Sequence, residues 1–266
     1  MNTPDAPDPT SGRAPAVPRS RDSVLVVALD VPTLAEAEDL VDRLCGLVSW
    51  FKVGSELFTA AGPAAVRAVL DRGGQVFLDL KFHDIPRTVA AAVRAAADLG
   101  VSMMTVHVAA GDEALTRSAR ALRTRRDPPG RLSDRVSARP LLVGVTRLTS
   151  EPATSGTSGQ IVEAALLSRR CGLDGVVAAA GEAAAIRQVC GSDFIIVTPG
   201  IRPAGTDEGD QARTATPRDA VRAGADYLVV GRPILEAPDP REAAGSILEE
   251  IEAALRQEGD APPRKV

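Results

Sequence analysis

Aromatic residues are scarce in this sequence: they make up 3% of its 266 residues, whereas hydrophobic residues make up 44%. The chain can therefore bury a core of useful size, but Ala, Val, Leu and Ile have to build most of it. The length allows one large domain or two small ones, and single α/β barrels often reach this size.

The chain also has few cysteines, and their spacing excludes two kinds of site. Cys45, Cys171 and Cys190 are odd in number and far apart, so they match neither a disulfide framework nor a metal-binding motif. We expect them to be core residues of a protein in a reducing compartment.

Long apolar runs and an excess of basic residues are missing as well. No stretch approaches the about 18 apolar residues of a membrane span, and the N-terminus has no apolar signal core. The net charge is −4 and the isoelectric point is about 5.4, whereas a general nucleic-acid binder usually shows a basic patch. The sequence therefore predicts a cytoplasmic protein with no nucleic-acid and no membrane partner.

The two ends of the chain differ in composition from the rest. Residues 1–21 contain five prolines and almost no large apolar side chain, which is typical of a disordered tail. Residues 259–266 have a similar character, and we expect a flexible C-terminal tail there. A single folded domain is predicted over residues 22–258.

Between the tails, short apolar runs alternate with helical patterns eight times. The predicted strands are Val24–Leu29, Trp50–Val53, Gln75–Lys81, Met103–His107, Leu141–Thr146, Gly175–Ala178, Phe194–Thr198 and Tyr227–Val230. The predicted helices are Leu34–Leu44, Ala64–Arg72, Thr88–Leu99, Glu113–Arg125, Gly159–Cys171, Glu182–Val189, Pro217–Ala223 and Arg241–Arg256. Eight such units predict an α/β fold, a closed (β/α)₈ TIM barrel with a parallel sheet. The alternative is an open doubly wound sheet, but no Gly-x-Gly-x-x-Gly follows the first strand to support it.

Three segments interrupt this alternation. Residues 123–139, rich in Arg, Asp, Pro and Ser, are predicted to form a surface insertion. Residues 150–159 and 199–216 follow the fifth and seventh predicted strands. Because loops at the carboxyl ends of barrel strands form the active face, these two loops are candidate lids.

The stretch Phe77–Pro86 carries the strongest chemical signal. Strand side chains alternate between two faces, so Asp79 and Lys81 share one face and the apolar residues Leu78, Leu80 and Phe82 share the other. Asp84 follows three residues later, and two carboxylates could hold one buried ammonium between them. The alternatives are a solvated strand end for the pair and a helix N-cap for Asp84.

Polar residues also end or follow the other predicted strands. In a barrel they would converge at one mouth; they are Asp30, Lys52, His107, Thr146, Thr149, Arg202 and Arg232. For Asp30 and Lys52 the alternative is a strand-end salt bridge, and for His107 it is a structural hydrogen bond. The sequence shows no Ser–His–Asp or Cys–His pattern of a catalytic triad or dyad.

The segment Val230-Gly231-Arg232-Pro233 favours a phosphate site after the eighth strand. Barrels often bind phosphate in the loops after strands seven and eight. Gly231 would allow close backbone approach, and Arg232 would add a forked cation. Pro199-Gly200-Ile201-Arg202-Pro203, after the seventh strand, strengthens this interpretation, and an ordinary structural turn is the alternative.

Taken together, these residues resemble the orotidine 5′-phosphate decarboxylase family. The family's Asp-x-Lys-x-x-Asp signature is similar to Asp79-Leu80-Lys81-Phe82-His83-Asp84. Further similar blocks follow in the family's order: Ala28-Leu29-Asp30, Phe51-Lys52-Val53-Gly54, Leu148-Thr149-Ser150, the Gly-Ile-Arg-Pro block at 200–203, Gly209-Asp210-Gln211 and Gly231-Arg232-Pro233. The resemblance runs from about Val24 to Leu255, which is essentially the whole predicted domain.

This resemblance implies decarboxylation of orotidine 5′-monophosphate to UMP, the last step of de novo pyrimidine synthesis, with no metal and no organic cofactor. Lys81 would donate the proton to C6 of the pyrimidine, and Asp79 and Lys52 would belong to the charged network around it. Asp30 would bind the ribose hydroxyls and Thr149 would contact the base. The phosphate would be held by Gln211, Arg202, Gly231 and Arg232.

The resemblance also implies a homodimer. In this family the residues that correspond to Asp84, Ile85 and Thr88 reach into the partner's site. The sequence departs from many members in having a longer segment at 123–139 and a shorter loop after Ser150.

Two rival functions remain open at this stage. One is a magnesium-dependent sugar-phosphate lyase or decarboxylase of the same barrel superfamily, in which Glu56 would be the residue to bind metal. The other is a non-catalytic barrel that only binds a phosphate ligand or a protein partner. An intact set of Asp79, Lys81 and Asp84 argues against the second.

Overall fold

Eight parallel strands close into a barrel in which each strand pairs with the next and the last pairs with the first. The structure is a computed structural model that describes residues 24–125, 139–148, 157–203 and 214–259. The strands are β1 Leu25–Ala28, β2 Trp50–Gly54, β3 Gln75–Phe82, β4 Met103–His107, β5 Leu141–Val145, β6 Gly175–Val177, β7 Ile195–Thr198 and β8 Tyr227–Val230. The predicted (β/α)₈ barrel is confirmed, and the open sheet is wrong.

The helices surround this barrel and connect its strands. They are α1 Leu34–Leu44, α2 Ser55–Ala61, α3 Pro63–Leu70, α4 Pro86–Asp98, α5 Asp112–Arg123, α6 Thr157–Arg170, α7 Ala180–Cys190, α8 Pro217–Ala223, α9 Arg232–Leu235 and α10 Pro240–Gly259. The short helices α2 and α9 are absent from the sequence prediction. Their seven and four residues span too few turns to show a helical period.

The start of α4 corrects one sequence prediction. Asp84 is not the N-cap of this helix; the N-cap is Ile85, which makes no side-chain capping bond. Pro86 takes the first helical position, where its fixed φ suits the helix and its missing N–H is not needed. Asp84 therefore lies one residue too early, and its Oδ1 accepts a hydrogen bond from the backbone N–H of Ile85 at 2.6 Å.

Alternating side chains separate two apolar layers. Leu25 and Val27 pack outward against the helices, whereas Val26 and Ala28 point into the barrel. The interior cluster consists of Val26, Ala28, Trp50, Phe77, Met103, Val143, Ile195, Val197, Tyr227 and Val229. This arrangement fills the barrel with side chains, as is usual for eight strands.

Two aromatic residues close the amino-terminal end of the barrel. Trp50 and Tyr227 are the first residues of β2 and β8, and their rings meet edge to face with centroids 5.1 Å apart. Burial and the neighbouring carboxylate of Asp226 raise the pKa of the Tyr227 hydroxyl, which therefore stays neutral. The opposite end of the barrel, where the strands finish, is left open for a site.

The cysteines agree only in part with the sequence analysis. Cys171 and Cys190 are buried, but Cys45 is exposed, so its prediction as a core residue is wrong. Cys45 caps the end of α1, which places it at the surface between helices rather than beneath them. Over the described residues, no helix combines the length and the apolar character that a membrane crossing requires.

Candidate active site

A cavity of about 640 Å³ opens at the carboxyl ends of the strands. Side chains from at least five strand ends line it, including most of the residues predicted from the sequence: Asp30, Lys52, Asp79, Lys81, Arg202, Gly231 and Arg232. Parallel strands all end on the same side of a barrel, which is why residues as far apart in the sequence as Asp30 and Arg232 meet here. The predicted convergence is therefore observed.

Lys52 and Asp30 form the first charged pair of the cavity. Lys52 Nζ lies 2.8 Å from Asp30 Oδ1, and the lysine side chain is 11% exposed while the aspartate is 51% exposed. The parallel pairing of Ala28 with Lys52 brings Asp30, two residues after the end of β1, close to the lysine. The salt bridge that the sequence analysis gave as the alternative is present, and both of its residues also line the cavity.

Lys81 and Asp79 form the second pair. Lys81 Nζ donates to Asp79 Oδ2 at 2.8 Å, and both side chains line the cavity. Leu78, Leu80 and Phe82 pack into the outer apolar layer, as the alternation predicts. A lysine that keeps 36% of its side chain exposed beside a carboxylate exposed by 13% can present its ammonium to a ligand.

The backbone of β3 is irregular at this pair, and the sequence does not indicate it. Lys81 has φ of 51°, and in the described part of the chain every other residue with positive φ is a glycine. Pairing with β4 shifts from Leu78↔Met104 to Phe82↔Val106, so β3 carries two extra residues. A left-handed non-glycine residue costs about 1–3 kcal/mol and persists only where its surroundings hold it.

Asp84, Ile85 and Thr88 stand apart from the cavity. All three are exposed, and Ile85 is 63% exposed. Among the described residues Lys81 forms its ion pair with Asp79, and no ion pair joins it to Asp84. The prediction of one ammonium between two carboxylates is therefore wrong for a single copy of the chain.

Two arginines and a glycine define the side of the cavity formed by β7 and β8. Arg202 is buried, and Nη1 of its guanidinium donates to the carbonyl of Ile201 at 2.9 Å. Arg232 opens α9 directly after Gly231, and both line the cavity. A Cβ on Gly231 would lie 3.6 Å from Asp30 Oδ2, which is an ordinary contact distance and places this backbone beside the Asp30 carboxylate.

Some predicted residues lie elsewhere. Thr149 and Gln211 fall outside the described residues, as do residues 126–138 of the predicted insertion and residues 150–156 and 204–213 of the two candidate lids. His107 Nδ1 accepts a hydrogen bond from the N–H of Ala109 at 3.2 Å, and its ring stacks on His83 with centroids 5.3 Å apart. These contacts support the structural role that the sequence analysis offered for His107.

The cavity also contains residues that the sequence analysis passed over. Arg147 and Glu236 line it, and Glu56 does so too, which the sequence analysis had noted only as a metal-binding alternative. Nη1 of Arg147 donates to the hydroxyl of Thr157 at 2.9 Å. Arg147 lies two residues beyond β5, so the rule that strand ends carry function could have found it.

Four carboxylates line the cavity, Asp30, Glu56, Asp79 and Glu236, but they do not form a metal-binding group in the described part of the chain. Within the ranges that the structure covers, no group of three or more His, Cys, Asp or Glu side chains has the geometry to hold a metal ion. Glu56 belongs to no such group among these residues.

The closed barrel, the cavity at its strand ends and the paired lysines and aspartates define a (β/α)₈-barrel enzyme whose site lies on the usual face. Comparison with known proteins identifies the family within this class. Residues 23–247 match the model of the orotidine 5′-phosphate decarboxylase / HUMPS family. The chain belongs to that family.

Individual relatives cover nearly the whole domain. The orotidine 5′-phosphate decarboxylase of Moorella thermoacetica is 52% identical over 237 residues, which are 86% of this chain and 92% of the relative. The enzyme of the same name from Vibrio parahaemolyticus is 47% identical over 234 residues, covering 85% of this chain and 96% of the relative. The crystal structure of orotidine 5′-phosphate decarboxylase from Lactobacillus acidophilus superposes with a TM-score of 0.73 at 33% identity, covering 86% of this chain and 99% of that one.

Proposed function

We propose that this chain decarboxylates orotidine 5′-monophosphate to UMP and CO₂ in pyrimidine biosynthesis, without a metal ion or organic cofactor. One observation carries the proposal: Lys81 and Asp79 pair at the end of β3 and face a cavity whose far side holds Arg202 and Arg232. This arrangement suits a ligand that is anionic at two places, a carboxylate on a base and a phosphate. Relatives named for this activity at 44–52% identity support it.

Lys81 is the proton donor in this mechanism. When the bond between C6 and the carboxylate breaks, CO₂ leaves and the electron pair stays on C6. A fixed ammonium beside C6 stabilises that charge as it develops, which is the main way in which enzymes lower such barriers. Lys81 then transfers a proton from Nζ to C6, and solvent restores the ammonium.

Asp79 holds the ammonium of Lys81 in place, and the neighbouring Asp30 holds that of Lys52. Asp79 Oδ2 accepts the hydrogen bond from Lys81 Nζ and so orients the ammonium before the substrate arrives. Lys52, held by Asp30, places a second cation in the same cavity. Preorganised charges of this kind need no rearrangement during the reaction.

The remaining residues bind the nonreacting parts of the substrate. The exposed oxygen of Asp30 accepts hydrogen bonds from the ribose hydroxyls, and Thr149 contacts the base. Arg202, Arg232 and the backbone at Gly231 hold the phosphate, together with Gln211. Arginine suits this task because its planar fork matches a phosphate. Binding energy from the phosphate, far from C6, can then serve the chemical step.

The proposed enzyme works as a homodimer. Asp84, Ile85 and Thr88 are exposed and do not line the described part of their own subunit's cavity, and Ile85 presents a large apolar side chain to solvent. A two-fold dimer places the same patch of each subunit against the other, so both sites gain these residues at once. Asp84 of one subunit then supplies the second carboxylate beside the partner's Lys81.

A direct assay tests the proposed reaction. Purified protein with excess EDTA is mixed with orotidine 5′-monophosphate, and the ultraviolet absorbance of the orotate ring is followed. We expect the absorbance to change to that of UMP at a rate that EDTA does not alter. Turnover that needs added magnesium, or activity on a sugar phosphate instead, would assign the chain to the metal-dependent alternative in which Glu56 binds the ion. Binding of UMP without any turnover would identify a silent barrel.

Gly54→Ala is expected to disturb the ribose end of the site. A Cβ on Gly54 would lie 3.0 Å from Lys52 Nζ and 3.2 Å from Asp30 Oδ1, so both charged groups have to shift from their paired positions. The φ of −93° at this position suits alanine, so the effect is steric alone. We expect KM for orotidine 5′-monophosphate to rise by about tenfold, since a hydrogen bond between charged groups contributes about 1.5–3 kcal/mol.

Gly245→Ala is the control for this substitution. Gly245 lies in α10, and a Cβ there meets no atom within 4 Å. Steady-state kinetics should show an unchanged KM for the control. Equal KM values for wild type and Gly54→Ala would contradict the role of the Lys52–Asp30 pair in substrate binding.

A further inference from the structure

Thr105 lies opposite the irregular part of β3. It is the middle residue of β4, between Met104 and Val106, which pair with Leu78 and Phe82. Three residues of β3, from Asp79 to Lys81, therefore face this one position. A backbone N–H without an acceptor is costly when it is out of water, and the irregular pairing leaves the N–H of Lys81 in need of one.

The side chain of Thr105 provides that acceptor. Its Oγ1 accepts a hydrogen bond from the backbone N–H of Lys81 at 2.8 Å. The same oxygen donates its proton to Asp79 Oδ1 at 3.1 Å. The direction of both bonds is fixed, because an amide N–H can only donate and a carboxylate can only accept.

These bonds complete a ring. Asp79 Oδ2, the other oxygen of the carboxylate, accepts from Lys81 Nζ at 2.8 Å. The path thus runs from the backbone of Lys81 through Thr105 and Asp79 to the ammonium of the same lysine. Thr105 is fully buried, so water cannot replace either bond. The ring accounts for the left-handed backbone at Lys81, since only surroundings that hold it allow that conformation.

We propose that Thr105 is a positioning residue that sets the place from which Lys81 delivers its proton. The inference rests on the proposed function, in which Lys81 is the proton donor. Thr105 does not line the described part of the cavity, so it acts through Lys81 and Asp79 rather than on the substrate. It holds the lysine at its backbone and orients the carboxylate that holds its ammonium.

The consequence is specific to the chemical step. Loss of the hydroxyl leaves the substrate-binding residues Asp30, Arg202 and Arg232 untouched, so binding persists. It releases Lys81 and Asp79 from their fixed positions, so the proton transfer slows. A displacement of about 1 Å at a reacting group can cost about 100-fold in rate.

Kinetics of Thr105 variants test the inference. Thr105→Val keeps the side-chain shape and removes both hydrogen bonds, and we expect kcat to fall by about 100-fold while KM changes by less than about threefold. Thr105→Ser keeps the hydroxyl, and we expect it to retain kcat within about tenfold of wild type. Thr105→Ala differs from Thr105→Ser by a single oxygen, and should lose kcat as Thr105→Val does.

Thr198→Val is the matched control. Thr198 lies at the end of β7, is also fully buried, and its hydroxyl has no hydrogen-bond partner among the described residues. The same loss of a hydroxyl there should leave kcat unchanged. Thermal unfolding followed by circular dichroism shows whether each variant is folded, and the comparison of Thr105→Ser with Thr105→Ala decides the question if Thr105→Val does not fold.

The outcomes separate this inference from the proposed function. A wild-type protein that does not turn over orotidine 5′-monophosphate would overturn the function itself. An active wild type with an equally active Thr105→Val, or with Ser and Ala variants that lose kcat alike, would overturn the role of Thr105. A change confined to KM would do the same, because a positioning residue for the proton donor acts on kcat.

Discussion

Lys81→Ala is expected to lower kcat for orotidine 5′-monophosphate by at least about 10⁴-fold, with the protein still folded. The substitution removes both the proton donor and the cation that stabilises charge at C6, and each effect alone is worth about 100-fold or more. Alanine keeps the Cβ atom, so the left-handed backbone at this position is no more crowded than before. The rate is measured from the absorbance of the orotate ring, and folding from thermal unfolding.

Arg72→Ala is a suitable control for the loss of an ion pair. Arg72, in the turn after α3, has its Nε 2.7 Å from Oδ1 of Asp42 in α1, and neither residue lines the cavity. Breaking that pair should leave kcat as it is. Residual activity of Lys81→Ala above about one per cent would remove Lys81 from the role of proton donor, because general acid catalysis alone contributes about 100-fold or more.

Mixing two inactive variants is expected to restore activity if sites are shared between subunits. Asp84→Asn should lower kcat by about 100-fold or more, because it removes a carboxylate that acts on the partner's Lys81. In a mixed dimer of Lys81→Ala and Asp84→Asn, one site contains both changes and the other contains neither. With random exchange of equal amounts, about one quarter of all sites are intact.

A second mixture provides the control. Asp79 and Lys81 belong to the same subunit's cavity, so Asp79→Asn mixed with Lys81→Ala leaves no site intact. Native mass spectrometry confirms that mixed dimers form in both cases. Recovery with Asp84→Asn but not with Asp79→Asn is the expected pattern. No recovery in a sample that contains mixed dimers would refute the sharing of Asp84, and a protein that stays monomeric would refute the dimer.

Local patterns were sufficient for the architecture of this chain. Each predicted strand overlaps an observed one, and β4 and β8 have the predicted bounds. Apolar runs alternating with helical patterns specify parallel strands, and parallel strands end on one side. For that reason strand ends in the sequence are enough to place Asp30, Lys52, Asp79, Lys81, Arg202 and Arg232 in one cavity.

The same local patterns did not predict the start of α4, the two short helices or the backbone conformation at Lys81. Aspartate is a common N-cap residue, but here Pro86 takes the first helical position, so Ile85 is the N-cap and Asp84 lies outside the helix. The helices α2 and α9 are too short for a period to show. The sequence does not predict the left-handed backbone at Lys81. The two-residue alternation of a strand indicates which face each side chain occupies, but it does not indicate whether β3 keeps its hydrogen-bonding register with β4.

The sequence by itself therefore determined the barrel, the face that carries the site and most of the charged residues on it. Tertiary structure decided which of those residues pair. Lys52 meets Asp30 across 22 positions, and Thr105 meets Asp79 across 26 and Lys81 across 24. Such contacts depend on the register between neighbouring strands, and register is set by the packing of the whole barrel rather than by any local run of residues.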